Sequence, residues 1–155
     1  MRRYDDRELV FGAARLVDGN AMRQLARDAY QMYVDRIGRE PAPMTSDYDA
    51  IAASGDAFVA WRGNELVGML VTRRRKWMLL IENIAVAPVM QGSGLGSELL
   101  IRGEQIARDS GRHEVCLYTN AAMVENLAFY ARRGYVETQR ITENGFQRVY
   151  FTKHV

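Results

Sequence analysis

One stretch of the sequence, residues 81–108, constrains the fold more than any other, because it changes from strand to helix across a glycine-rich loop. It reads IENIAVAPVMQGSGLGSELLIRGEQIAR. The apolar, β-branched run from Leu79 to Val86 predicts a strand, which Pro88 ends because proline cannot donate to a sheet ladder. From Leu95 onwards, apolar residues recur at helical spacing. A strand leading into a helix in this way is typical of an α/β domain.

The glycine loop, residues 91–96, indicates anion binding at the start of the following helix. A helix leaves its first backbone N–H groups unpaired, and that end carries a positive partial charge. Glycines let the backbone approach a bulky anion, so a phosphate or pyrophosphate is the expected ligand. The spacing matches neither a P-loop nor G-x-G-x-x-G, but fits [Q/R]-x-x-G-x-[G/A], filled by Gln91, Gly94 and Gly96. A plain strand–helix turn is the alternative, although such a turn seldom needs three glycines.

A second pattern follows further along the chain. Asn126 lies in a predicted helix and is followed by the pair Phe129 and Tyr130 and then by Gly134 and Tyr135. With both patterns in this order, the chain resembles the GNAT superfamily of N-acetyltransferases over nearly its whole length, although the first third matches only in general pattern. The resemblance implies one α/β domain of GNAT fold over residues 1–155. It also implies a central, mixed, twisted β-sheet of about six to seven strands, flanked by about four helices.

The remaining residue patterns predict the element order β-α-α-β-β-β-α-β-α-β-β. Strands are expected at residues 9–16, 57–61, 65–71, 79–86, 114–119, 135–141 and 147–153. Helices are expected from Asp18 or Asn20 to about residue 36, from Thr45 or Ser46 to about residue 54, over residues 95–108, and over residues 121–133 before Gly134. Residues 1–8 are expected to form a loose extension, residues 37–44 a loop, and the basic residues 73–76 a turn.

Composition excludes several classes of function. The net charge of +2 is too small to argue for nucleic-acid binding, and 48% hydrophobic with 26% charged residues is ordinary for a globular domain. No apolar run approaches the ~20 residues of a membrane span, and the N-terminus does not fit a signal peptide. The single cysteine, Cys116, allows no internal disulfide and is expected to be a small buried hydrophobe. We therefore expect a cytoplasmic protein that binds neither nucleic acid nor membrane.

The resemblance implies acetyl-CoA as the co-substrate. Backbone N–H groups of the loop are then expected to hold the coenzyme pyrophosphate, at Gln91, Gly92, Ser93, Gly94, Leu95, Gly96 and Ser97. The strand backbone at Ile84, Ala85 and Val86 is expected to pair with the pantetheine arm, and the Asn126 amide to bind the coenzyme, unless it is simply a polar residue in solvent. Gln91 stands where the family often has Arg, so the site lacks one positive charge. His113 and His154 do not have metal-ligand spacing, and no metal is expected.

Acetyl transfer to an amine needs no protein nucleophile, because the neutral amine attacks the thioester itself. Tyr130 is the predicted acid, since the family places a tyrosine hydroxyl at the coenzyme sulfur; a core tyrosine is the alternative. Glu82 is the predicted base, on one strand face with Ile84 and Val86 by alternation. The alternatives for Glu82 are an ion pair with an arginine and simple attraction of a cationic substrate.

The sequence says least about the acceptor amine. We expect the acceptor to be a small molecule or a peptide. A homodimer is left open as the oligomeric state. Tyr30, Tyr33, Met44 and Tyr118 are candidate lining residues, although core packing is the more common role for each. Residues 73–76 are expected to form a solvated turn, rather than to bind an acidic partner or the coenzyme 3′-phosphate. The alternative function is a non-catalytic acyl-CoA-binding or sensor module, which would need neither Tyr130 nor Glu82.

Overall fold

The computed structural model describes residues 8–155 of the chain, so the predicted extension at residues 1–8 lies, except for Glu8, outside the described part. One seven-stranded mixed sheet runs through the domain, in the order β1-β2-β3-β4-β5-β7-β6. The strands are β1 (Leu9–Ala13), β2 (Ala57–Arg62), β3 (Glu65–Arg74), β4 (Leu79–Val86), β5 (Glu114–Asn120), β6 (Val136–Glu143) and β7 (Phe146–His154). The pair β4–β5 is parallel and the other pairs are antiparallel. The predicted fold class is confirmed.

The helices are α1 (Gly19–Tyr30), α2 (Val34–Ile37), α3 (Tyr48–Ala53), α4 (Leu95–Asp109) and α5 (Val124–Ala131). The first predicted helix is divided, because a 3₁₀ turn at Gln31–Tyr33 separates α1 from α2. Gly38, with φ of 86°, then ends α2 in the left-handed conformation that glycine adopts readily. No helix within residues 8–155 is long and apolar enough to cross a membrane.

Polar side chains set the helix starts differently from the prediction. Asp18 precedes α1, but its carboxylate accepts a hydrogen bond from the Arg15 backbone N–H at 2.7 Å instead of capping the helix. Asp47, rather than Thr45 or Ser46, caps α3 by accepting from the Ala50 N–H at 3.1 Å. The predicted helix start at residue 121 was wrong as well. The side chain of Asn120 accepts from the Ala122 N–H at 2.9 Å, so a turn precedes α5.

Helices cover both faces of the central strands. A Cβ built on Gly68 of β3 would lie 3.0 Å from Leu95 Cδ2, so α4 packs closely on one face. On the other face, the buried Asn83 of β4 hydrogen-bonds to Tyr30 of α1 and Tyr48 of α3. The core therefore lies in two layers, one on each side of β3 and β4.

The sheet opens in its centre. Residues 79–81 of β4 pair with residues 115–117 of β5, and the described pairing of these strands ends there. At the same point, Val71 pairs with Asn83 while Thr72 pairs with Ile81, so Glu82 is the extra residue of a β-bulge. A bulge bends its strand. Exposure still alternates from Glu82 to Val86, as the predicted strand face requires. The second half of β4 thus borders a gap in the sheet.

A buried carboxylate ties α4 to the end of the sheet beyond the gap. Glu104 of α4 is only 6% exposed. It accepts hydrogen bonds from the Tyr135 hydroxyl and from Lys153 Nζ of β7, each at 3.1 Å. Burial and the neighbouring carboxylate raise the pKa of Tyr135, so its hydroxyl stays protonated and donates.

We predict that Glu104→Ala lowers the free energy of unfolding by about 2 kcal/mol, because it leaves a buried hydroxyl and an ammonium group without their acceptor. Urea denaturation at pH 7 measures the change. Glu114→Ala is the matched control, since Glu114 faces only His154, at 4.0 Å and near the surface; we expect it to change stability by less than about 0.5 kcal/mol. Equal midpoints for the two variants would contradict the prediction.

Candidate active site

The largest described cavity lies in the gap beside β4. Its volume is about 630 Å³, and it is bounded by the second half of β4, the glycine loop and α5. Every predicted coenzyme-binding residue except Ser93 lines it, namely Ile84, Ala85, Val86, Gln91, Gly92, Gly94, Leu95, Gly96, Ser97, Asn126 and Tyr130. Segments that are far apart in sequence therefore meet at one cavity.

The loop shape depends on two glycines with left-handed backbone. Gly92 has φ of 79° and Gly94 has φ of 90°, a region that is strained for residues with a Cβ. Within the loop, the Ser93 N–H donates to the Met90 carbonyl at 3.2 Å, and Ser93 Oγ accepts from the Leu95 N–H at 3.3 Å. Ser93 thus stabilises the start of α4 by accepting this hydrogen bond, and it does not line the cavity.

Four backbone donors at the loop have no acceptor among residues 8–155. They are the N–H groups of Gly92, Gly94, Gly96 and Ser97, and the Glu98 N–H, which bonds to the Gly94 carbonyl at 3.0 Å, is the first donor of the α4 ladder. All four residues line the large cavity. Unpaired donors at the positive end of a 15-residue helix form a site for a phosphate or pyrophosphate.

A positive side chain that the sequence did not single out also reaches this site. Arg133, just beyond α5, donates from Nε to Ser97 Oγ at 2.6 Å and from Nη1 to the Phe129 carbonyl at 2.9 Å. Its guanidinium carbon lies 3.6 Å from the centre of the Phe129 ring. Residues 88–101 contain no basic residue. Arg133 therefore supplies charge that the loop itself lacks, and only the folded chain brings it there across 36 residues.

Tyr130 is held in place by aromatic neighbours. It is 8% exposed, and its ring centre lies 5.2 Å from that of Phe129 and 5.9 Å from those of Tyr135 and Phe151. Its hydroxyl makes no hydrogen bond within the described chain, and Tyr130 lines both the large cavity and a smaller one. Burial raises the pKa of Tyr130 to about 12, so the hydroxyl remains a proton donor at neutral pH.

Asn126 also lies between the two cavities, so it is not merely a polar residue in solvent. Its Nδ2 donates to Thr119 Oγ1 at 3.2 Å and to Met123 Sδ at 3.5 Å. Because these two bonds use both N–H donors of the amide, the amide oxygen is the group left to bind a ligand, as a hydrogen-bond acceptor. An N–H group of a ligand in the cavity is the natural partner for it.

The smaller cavity, of about 60 Å³, adjoins the larger one and shares Tyr30, Ile84, Asn126 and Tyr130 with it. Of the candidate acceptor residues, Tyr30 and Tyr118 line the smaller cavity, and Tyr33 lines the larger. Met44 lines neither of these cavities and is a core residue, 3% exposed. The two cavities together form a passage from the glycine loop to the far side of the sheet.

Glu82 lines the smaller cavity and also has an arginine partner. Its Oε1 lies 2.8 Å from Arg73 Nε, and its side chain is 24% exposed. The predicted turn at residues 73–76 starts later than expected, because β3 continues to Arg74, which pairs with Asp56 at 3.2 Å. The ion pair holds the Glu82 carboxylate at the cavity wall.

A buried hydrogen-bond network supports β4 beside the cavities. The Tyr30 hydroxyl lies 2.5 Å from Asn83 Oδ1 and 3.1 Å from the Ile84 carbonyl oxygen. Asn83 Nδ2 donates to the Tyr48 hydroxyl at 3.2 Å, and Tyr48 donates to the Pro43 carbonyl. Burial raises the pKa of Tyr30, and that of Tyr48 to about 12, so both are neutral donors. The network anchors the bent strand and was not predicted from the sequence.

Chemically, the arrangement offers an anion site, a buried proton donor and a carboxylate along one passage. Within residues 8–155, no group of three or more His, Cys, Asp or Glu side chains could hold a metal ion.

Comparison with known proteins gives the same fold and a family match. The family model described as Acetyltransferase (GNAT) family matches residues 20–135. The chain is 28% identical over 109 residues to YvbK, an uncharacterised N-acetyltransferase of Bacillus subtilis strain 168, covering 70% of each chain. It is 33% identical over 86 residues to the aminoalkylphosphonate N-acetyltransferase of Salmonella typhimurium strain LT2, covering 52% of this chain and 56% of that one.

A solved structure resembles almost the entire chain. It is that of PaiA N-acetyltransferase from Thermoplasma acidophilum in complex with coenzyme A, with a TM-score of 0.77. The match covers 96% of this chain and 99% of that one, at 15% sequence identity. At that identity, the likeness extends to the fold and not to the substrate.

We predict that Arg133→Ala weakens coenzyme A binding by about 10- to 100-fold, because a charge-assisted phosphate contact contributes about 1.5–3 kcal/mol. Calorimetric titration measures the dissociation constant, and repeating it with dephospho-coenzyme A tells whether the 3′-phosphate is the group contacted. Arg140→Ala on β6 is the control, since Arg140 pairs only with Glu137 and lies outside both cavities. Wild-type affinity in Arg133→Ala would refute this role.

Proposed function

Because the chain belongs to the acetyltransferase (GNAT) family, we propose that it transfers the acetyl group of acetyl-CoA to a primary amine, by direct attack in a ternary complex. The observation that carries the proposal is the cavity that links four unpaired N–H groups at the start of α4 to the Tyr130 hydroxyl. A phosphate-bearing ligand held at the loop extends along β4 and brings its far end to Tyr130.

In this proposal, the pyrophosphate binds the N–H groups of the loop, with Arg133 beside them. The pantetheine arm lies along the second half of β4, whose edge has no described strand partner beyond Ile81. An extended chain that adds to such an edge gains backbone hydrogen bonds in the manner of an extra strand. The Asn126 amide oxygen accepts a hydrogen bond from an amide N–H of the arm.

Catalysis follows from placing the two reactants together. The amine nitrogen attacks the thioester carbonyl carbon, and a backbone N–H on the β4 edge stabilises the oxyanion that forms. The attacking nitrogen then loses its second proton to water, the C–S bond breaks, and the electron pair goes to the coenzyme sulfur, which later takes a proton from water. Glu82 takes the proton that the ammonium group must lose before attack, through a bridging water.

The pKa of Tyr130 defines its role at the leaving sulfur. Burial raises the pKa of Tyr130 to about 12, so its hydroxyl is protonated and available as a donor when the C–S bond breaks. Tyr130 stabilises the departing thiolate chiefly by donating a hydrogen bond, and the sulfur gains its proton as the product leaves.

A non-catalytic acyl-CoA-binding module is the competing function. It would use the glycine loop and Arg133 in the same way, but it would have no use for a carboxylate and a proton donor beside the acyl group. The placement of Glu82 and Tyr130 along one passage supports the enzyme. The acceptor of the Salmonella relative, an aminoalkylphosphonate, is consistent with a primary amine as the substrate class.

Titration with acetyl-CoA and with free coenzyme A, followed by a thiol-release assay with a panel of amines, tests the proposal. We expect micromolar binding, equivalent to about 8 kcal/mol, and amine-dependent release of coenzyme A. Binding without release for any amine would favour the non-catalytic module. No binding at high protein concentration would refute both functions.

We predict that Tyr130→Phe lowers kcat by about 10²-fold and changes the dissociation constant of coenzyme A by less than about threefold, because only the leaving thiolate needs the hydroxyl. Steady-state thiol release and calorimetry measure the two quantities. Tyr150→Phe is the control, since that hydroxyl contacts Glu143 and Tyr150 lines neither cavity. Unchanged turnover in Tyr130→Phe would remove Tyr130 from the mechanism.

We predict that Glu82→Gln lowers the rate at pH 7 by about 10²-fold and moves the pH profile to higher pH. Without the carboxylate, the ammonium group must lose its proton to bulk water, and the free amine becomes abundant only as the pH rises. The pH dependence of kcat/KM measures the shift. Glu65→Gln, at the exposed end of β3, is the control. An unchanged profile would leave Glu82 as the structural partner of Arg73.

A further inference from the structure

A strap, formed by the contacts of Arg39, joins two segments that are distant in sequence and that contribute to the wall of the smaller cavity. Arg39, in the loop after α2, donates from Nη2 to the Asn144 carbonyl at 2.7 Å. Its guanidinium carbon lies 3.6 Å from the centre of the Phe146 ring at the start of β7. Residues 41–43 of that loop and Phe146 both line the smaller cavity. The strap therefore joins two parts of the cavity wall.

The size of the cavity limits what can occupy it. Its volume of about 60 Å³ corresponds to about four ordered waters, at about 15 Å³ for each. A peptide chain of several residues does not fit a space of this volume. A compact acceptor with few non-hydrogen atoms fits the space instead.

Among the described residues, 8–155, that line this cavity, two are charged and they have opposite sign, Glu82 and Arg148. Arg148 of β7 has a side chain that is 13% exposed and lies 4.5 Å from the centre of the Tyr118 ring. Its Nη1 donates to Glu143 at 2.7 Å. The guanidinium also interacts with the Tyr150 hydroxyl, where it opposes the rise in the pKa of Tyr150. Because a guanidinium has five N–H donors, Arg148 keeps donors for a ligand in the cavity that it lines.

A guanidinium with free, fixed donors recognises the planar oxygens of a carboxylate or the oxygens of a phosphate. Glu82 has the opposite preference. Its Oε1 is engaged by Arg73, and its second carboxylate oxygen is available to an ammonium group. A ligand with an amine at one end and an anionic group at the other can bind both residues, with the amine at Glu82 and the anion at Arg148, beside the ring of Tyr118.

We propose that the acceptor is a small primary amine that also carries an anionic group, with its amine directed to Glu82 and its anion bound by Arg148. The inference rests on the proposed acetyl transfer, and it adds the chemical class of the acceptor. Arg148 acts here as a specificity residue that contacts the substrate and takes no part in bond breaking.

Acceptors that differ in charge and in size test the inference. We would measure kcat/KM for β-alanine, O-phosphoethanolamine, propylamine and a pentapeptide with a free N-terminus, using coenzyme A release. We expect either anionic amine to exceed propylamine by at least about tenfold, as one charge-assisted contact provides, and the peptide to be the poorest acceptor. The two anionic amines distinguish a carboxylate site from a phosphate site.

Variants at Arg148 connect the preference to this residue. In Arg148→Gln, we expect the ratio of kcat/KM for the anionic amine to that for propylamine to fall to near one. Arg148→Lys keeps the positive charge but loses the two-pronged guanidinium, so its ratio should lie between those of the wild type and Arg148→Gln. This variant replaces Arg148→Gln in the test if Arg148→Gln does not fold. Arg140→Ala should keep the wild-type ratio. Calorimetry with coenzyme A verifies that each variant is folded.

The possible outcomes separate this inference from the function on which it rests. If coenzyme A binds and propylamine or the peptide is acetylated as efficiently as the anionic amines, the acceptor class is wrong while the acetyltransferase stands. A preference that persists unchanged in Arg148→Gln would likewise overturn the assignment. If no amine in a broad panel releases coenzyme A, the proposed function itself fails, and the acceptor class fails with it.

Discussion

The rest of the site depends on one constraint, which is that β4 has no described pairing with β5 beyond Ile81. A strand in the middle of a sheet normally satisfies its backbone on both sides, because an unpaired polar group away from water is costly. Here the bulge at Glu82 bends β4 as its parallel pairing with β5 ends. The cavity beside the unpaired edge keeps that backbone accessible to a ligand. The buried bonds of Asn83 to α1 and α3 hold the bent strand from the opposite side.

Two helices border the resulting gap, and they contribute different chemistry. α4 presents unpaired N–H groups because Gly92 and Gly94 turn the chain directly into its first turn. α5 and the turn that follows it present side chains, with Tyr130 of α5 at the junction of the two cavities and Arg133 of the turn beside the loop. The bond from Arg133 to Ser97 joins the two helices where the phosphate is proposed to bind. Charge and backbone donors therefore come from separate elements that the open sheet brings together.

The sequence predicted the features that lie within one continuous segment and missed those that depend on contacts between distant segments. The strand, glycine loop and helix around residue 91 are one continuous segment, so the sequence predicted their order and most of the cavity-lining residues within the segment. Arg133, Arg39 and the bulge at Glu82 were not predicted, because each depends on a partner or a register that only the folded chain defines. The predicted cap at Asp18 and the predicted helix start at residue 121 failed for a related reason. The side chains of Asp18 and Asn120 accept hydrogen bonds from backbone N–H groups outside the helices, and helix propensity does not rank those alternatives.

The charges beside the smaller cavity come in pairs, and that pairing is compatible with substrate binding. An unpartnered ion in a partly buried wall would be expensive, so Glu82 has Arg73 and Arg148 has Glu143. Each pair occupies only part of its members' hydrogen-bonding capacity, since a carboxylate has a second oxygen and a guanidinium has five donors. The wall is thus stable when empty and still offers one charged site of each sign. Tyr118 lies within the field of all four groups, and burial, with Glu82 and Glu143, raises its pKa while Arg148 and Arg73 oppose the change. A substrate with a single charge would leave one of the two sites without a partner, whereas one with both charges completes the arrangement.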